Sequence, residues 1–147
     1  MANQLKDHLI DPLTLLLKRE LKFPVFWDSA YKARAPLYVA LTLLDDILLE
    51  EDATSQTRRG RVAMRLYSGL HDTLASRSYE NSLADGAEKI KAVIFSARDY
   101  SETNSYYWHE GQVESVDYAP TLTEREQEAE ALAVVEVITG FTITEFE

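Results

Sequence analysis

Leu37-Tyr38-Val39-Ala40-Leu41-Thr42-Leu43-Leu44 and, after a polar turn, Arg61-Val62-Ala63-Met64-Arg65-Leu66-Tyr67 decide how this chain folds. Both have period two. In the first, Leu37, Val39, Leu41 and Leu43 face one way, and Tyr38, Ala40, Thr42 and Leu44 the other. Side chains alternate across a strand, so two apolar faces predict a central strand covered on both sides. Asp45-Asp46 interrupts the run and Ile47-Leu48-Leu49 resumes it. Residues 50–56 form the polar turn, and two such strands joined by a short loop predict an antiparallel hairpin. A helix over 37–50 is the competing reading, and the β-rich flanks decide against it.

On the N-terminal side, Leu5, Leu9, Leu13, Leu16 and Leu17 recur at helical spacing. Asp11-Pro12 fits an N-cap followed by proline at the first helical position. The opening is therefore either one kinked helix over about 3–20 or a turn followed by a helix over 12–20. Phe23-Pro24-Val25-Phe26-Trp27 reads as a short strand and 28–35 as a loop. Residues 68–78 carry no clear pattern. Leu83, Ala87, Ile90, Val93, Ile94 and Ala97 predict a helix over 79–97. Residues 99–111 read as a loop holding Tyr106-Tyr107-Trp108, 112–118 as a strand, and 119–130 as a polar acidic stretch. Leu132 to Phe146 is β-rich, with Gly140 marking a bulge or bend. The expected fold is one α+β domain over 1–147, a mainly antiparallel sheet with an N-terminal helix and a second helix on one face.

The chain has 147 residues, no cysteine and a formal charge of -10. These figures exclude a disulfide scaffold, a thiol nucleophile and a cysteine zinc site, and they oppose nucleic-acid binding by bulk charge. No signal segment and no apolar run of about 20 residues is visible, so a cytoplasmically made protein without a membrane span is expected. The charge is uneven. Residues 1–98 hold 14 of the 15 basic side chains against 13 acids, whereas 99–147 hold Arg125 against 12 acids.

The search for catalytic chemistry is negative. Gly60, Gly69, Gly86, Gly111 and Gly140 are too dispersed for a phosphate loop, and no Gly-x-Ser-x-Gly elbow exists. His8, His71 and His109 have no metal-ligand spacing; His71-Asp72 and His109-Glu110 are neighbours whose side chains diverge. Asp45, Asp46, Glu50, Glu51 and Asp52 lack the spacing of a calcium loop and read as a solvated hairpin end. No enzyme, cofactor or metal is expected.

Two clusters remain. Arg58, Arg59, Arg61 and Arg65 fit three readings: charges that blunt a strand edge, a contact with a neighbouring subunit's acids, or phosphate binding. Tyr106, Tyr107 and Trp108 fit either an interface anchor or rings folded onto the core.

The order of elements resembles the tail-terminator (tail-completion) proteins of long-tailed bacteriophages. The pieces that carry the resemblance are the Leu-rich first helix, Phe23 to Trp27, the strand Ala35-Pro36-Leu37-Tyr38-Val39-Ala40-Leu41, the returning strand Arg61 to Tyr67, the helix 79–97, and the closing strand that ends Gly140-Phe141-Thr142-Ile143-Thr144-Glu145-Phe146-Glu147. The hairpin tip 45–57 and the acidic run 121–130 look longer than in that family. The resemblance implies a virion structural protein with no catalytic residues, forming a homo-oligomeric ring, a hexamer, on the tail tube. Its partners would be itself, the tail-tube protein and a head-side connector. DNA would pass through an acidic lumen without specific binding, with Glu124, Glu126, Glu128 and Glu130 as candidate lining. Two other classes stay open: a small ligand-binding or enzymatic α+β domain using His71 or His109, and an acidic adaptor that binds one basic partner.

Overall fold

The computed structural model describes residues 5–27, 37–69, 76–102, 105–124 and 132–146. The expected loop 28–35, His71, Arg125 and the acids Glu126, Glu128 and Glu130 lie outside them.

Helix α1 (Asp11–Glu20) is entered through a π-helical turn, Lys6–Ile10, with no break between them. The Asp11 N–H donates to Lys6 O, five residues back, and Ile10 and Asp11 both keep right-handed helical angles. Asp11 is therefore not an N-cap, and of the two openings the continuous one forms. Proline has no N–H to give and crowds the preceding turn; here the turn ahead of Pro12 is the wider one. Leu9, Leu13, Leu16 and Leu17 are buried, as the spacing predicts, while Leu15 points to solvent.

Then follow β1 (Val25–Trp27), β2 (Leu37–Glu51), β3 (Ser55–Gly69), α2 (Ser76–Ser96), β4 (Tyr100–Glu102), β5 (Ser105–Asp117) and β6 (Leu132–Phe146). The sheet order is β1-β2-β3-β6-β5-β4, antiparallel except for the β1–β2 pair. The fold is α+β. Among the described residues no helix is long and apolar enough to cross a membrane.

Both helices cover one face. Leu13, Leu17, Leu83, Ile90 and Ile94 pack with Val39, Leu41, Val62, Met64, Leu66, Val137 and Phe141. Each fully buried aliphatic side chain contributes about 1.5–3 kcal/mol. The opposite face carries a small patch, Tyr38, Ala40, Tyr67 and Val134, under Phe26 and Leu122. Tyr38 and Tyr67 stack at 5.2 Å.

Three expectations need correction. Strand β2 is covered on both faces only in its lower part. Its pairing with β1 ends at Trp27↔Leu41, so from Thr42 onward no described strand flanks β2 on that side; this outer half of β2 forms an edge arm, backed by β3 and β6, which stay paired out to Ser55↔Phe146. Within the expected loop 99–111, residues 100–102 are β4 and 105–111 belong to β5, so Tyr106, Tyr107 and Trp108 lie on a strand. Gly140 is not the bulged residue. Pairing between β3 and β6 runs unbroken through Arg61↔Gly140, and the irregularities opposite it, at 109–112 and 113–115, belong to β5. Glu110, in the first of them, has a positive φ of 51°, the left-handed geometry a bulge uses.

Candidate functional site

Period two sends Val62, Met64 and Leu66 to the helices and Arg59, Arg61 and Arg65 to the open face. There the arginines meet carboxylates from strands on either side. Arg65 pairs with Glu136, its register partner on β6, and also donates to Thr121 O at 3.2 Å. Arg61 grips Asp45 of β2 through Nε and Nη2, at 3.0 and 2.6 Å to Oδ2. The guanidinium bonds hold the Asp45 carboxyl below the usual carboxylate range, and the same pair raises Arg61.

Arg59 and Arg61 both reach Glu114 of β5, at 3.8 and 3.7 Å, across the intervening β6. They cross at Gly140, where a Cβ would lie 2.6 Å from Arg59 Nη2 and 2.6 Å from Glu114 Oε2. Arg59 Nη1 also donates to Thr142 Oγ1 at 2.8 Å and Glu110 O at 3.2 Å. Arg58 has the opposite parity and pairs with Asp46 at 2.8 Å, which raises Arg58. The arginine run and the acids of the last third do meet, at Glu114 and Glu136, within one chain. A neighbour's acids or a phosphate would have to compete with partners already in place.

Trp108 is fully buried and is not available as a surface anchor. Its ring stacks on Tyr100 at 4.7 Å and meets Phe141 edge-on at 4.9 Å. Its indole N–H donates to Ala97 O at 2.7 Å, satisfying a carbonyl left orphaned just past the end of α2. Tyr107 is half-buried against Tyr100 at 5.5 Å. Tyr106 is described only as a backbone position of β5. Glu124 is exposed, just ahead of the residues outside the description.

Three acids of the hairpin end already have partners. Asp45 and Asp46 belong to the arginines. Asp52 ties the turn, accepting from Thr54 N and Ser55 N at 2.8 and 2.9 Å, bonds that lower its pKa. No cluster able to hold a metal occurs among the described residues. His109 is half-exposed, its Nδ1 3.5 Å from Asp99. Grooves of about 370, 340 and 170 Å³ lie beside the helices, and neither His8 nor His109 lines any of them.

The exposed surface of the arm is not visible in the sequence pattern. Ile47, Leu48 and Leu49 are about half exposed, and so is Leu44. Leu44 and Leu49 are the extra residues at the two register shifts of β2. The interruption at Asp45-Asp46 was the visible signal of the first shift, because an inserted residue breaks the alternation.

No family model matches the chain, and no curated protein matches it. A search of solved structures finds chains of related shape. One of them, known by a sequence identifier alone, is 17% identical, with a TM-score of 0.48 over 98% of this chain and 92% of that one.

Proposed function

We propose that the chain is a structural subunit that closes into a homo-oligomeric ring on the end of a phage tail tube, stops tube growth and offers the joining surface to a head-side connector. The assembly half of this reading rests on one observation: the arm exposes Leu44, Ile47, Leu48 and Leu49 along a strand edge that no described strand pairs beyond Leu41. A long apolar edge is a template for another chain, and proteins that stay alone normally blunt it. The tail half rests on the element order: Leu-rich helix, short aromatic strand, hairpin, second helix and closing strand.

In this reading the cis ion pairs of Arg59, Arg61 and Arg65 stiffen the open sheet face, and contact between copies falls to the arm. Glu124 and the acids after it remain the lumen candidates, where like charge would keep DNA sliding. The test is negative-stain imaging of tail tubes incubated with the protein and then offered more tube protein. Rings at one tube end, with growth arrested there, are expected. Tubes that lengthen normally beside a protein that stays monomeric overturn the reading.

A further inference from the structure

The arm is matched by a second surface on the far side of the same molecule. The groove of about 340 Å³ between α2 and β5 is lined by Lys91, Phe95, Arg98, Gly111, Gln112 and Val113. Phe95 is 72% exposed, and the Arg98 guanidinium lies 5.8 Å from its ring centroid. Among the described residues Arg98 meets no carboxylate. The groove is thus apolar with a cationic wall.

The arm tip has the complementary chemistry. Ile47, Leu48 and Leu49 are followed by Glu50, an exposed acid that meets no cation among the described residues, and by Glu51. Arg58 and Arg61 cannot serve Glu50, being committed to Asp46 and Asp45. Arm and groove sit toward opposite edges of the sheet, since β2 lies near one end of the strand order and β5 near the other.

We infer that the arm of one copy seats in the α2–β5 groove of the next, with Leu48 and Leu49 against Phe95 and Val113 and Glu50 against Arg98. This rests on the ring reading and names its contact. Each copy offers one arm and one groove, so the contact is head-to-tail and repeats from copy to copy, closing into a ring where the rotation allows. Exposed apolar groups on both sides are covered, and two opposite charges pair at the rim of that contact, which fixes its register.

The natural absence of cysteine makes the test direct. A Leu49→Cys, Phe95→Cys double variant, both positions exposed, is oxidised as concentrated free protein and on tail tubes. A disulfide ladder running past the dimer is expected, while either single variant stops at the dimer. In the same background Glu50→Arg or Arg98→Glu alone should lose most of the ladder, and the two together should restore it. A ladder that stops at the dimer or is absent in both settings, or that is indifferent to the charge reversals, overturns the inference. A Leu49→Cys, Leu15→Cys pair serves as the control for random collision. Capped tubes without a ladder would sink this contact and spare the ring; a ladder with uncapped tubes would keep the contact and sink the tail-capping role.

Discussion

Glu114 Oε1 lies 3.7 Å from Arg61 Nη1 although a whole strand, β6, runs between the strands that carry them. The crossing is open because residue 140 has no side chain. Arg59 cannot swing aside freely, since its Nη1 is bonded to Thr142 and Glu110.

Gly140→Ala should therefore destabilise, even though alanine restricts the unfolded chain and by itself would favour folding by about 0.4–1 kcal/mol. The expected net loss in urea denaturation is about 1 kcal/mol, in the range for forcing atoms into a filled site. Glu114→Gln alone should cost less. In the double variant the two costs should add to less than their sum, because both act on one contact.

Trp108→Phe keeps most of the ring packing and removes the donor to Ala97 O. A buried carbonyl left without a partner costs about 1–3 kcal/mol. Thermal unfolding should register that loss, and amide exchange should speed up first in the last turn of α2. Trp108→Ala adds a cavity, and about 3–5 kcal/mol is expected.

Acid should act through Asp45 and Asp52. Both have folded pKa values below their unfolded ones. Such a group stabilises the fold at pH above its unfolded value, about 4, and the contribution is lost as pH falls through the folded value. The stability gap between the parent protein and Asp45→Asn or Asp52→Asn should be widest near neutrality and close below the carboxylate range. Raising the pH from 7 to 9 should leave it unchanged. Denaturant midpoints measured at each pH check this.

Ile47→Lys and Leu48→Ser change exposed side chains that the helices do not cover. Stability should move by no more than about 0.5 kcal/mol. Assembly, read by light scattering with tail tubes present, should fall sharply. A large loss of stability would mean that the arm is part of the fold rather than a surface for a neighbour.

The hairpin and both helices were legible because their periods run unbroken for several turns or pairs. Tyr106-Tyr107-Trp108 carries no clear strand signal because β5 takes an extra residue near Glu110 and another near Ser115, which breaks its alternation. Asp11-Pro12 imitated a helix start, since a π-helical turn leaves no mark in the spacing of apolar residues. The attraction between the arginine run and the later acids was legible as charge. Glu114 and Glu136 meet it from strands of the same chain, and composition carries no information on which copy supplies the partner. The exposed arm was hidden for a related reason: whether Leu48 lies in a core or in water depends on where the neighbouring strand stops, and β1 stops opposite Leu41.

Strand β3 holds the middle of the sheet, yet its two neighbours arrive at very different times. Strand β2 is already made when β3 ends at Gly69, whereas β6 begins only at Leu132. On the ribosome the hairpin waits with one flank bare while α2, β4 and β5 are synthesised. Pairing at such separation slows folding toward the millisecond-to-second range. Nascent chains crowded on one message are thus most prone to mispair in that interval, and a chaperone that shields a naked strand would find its work there.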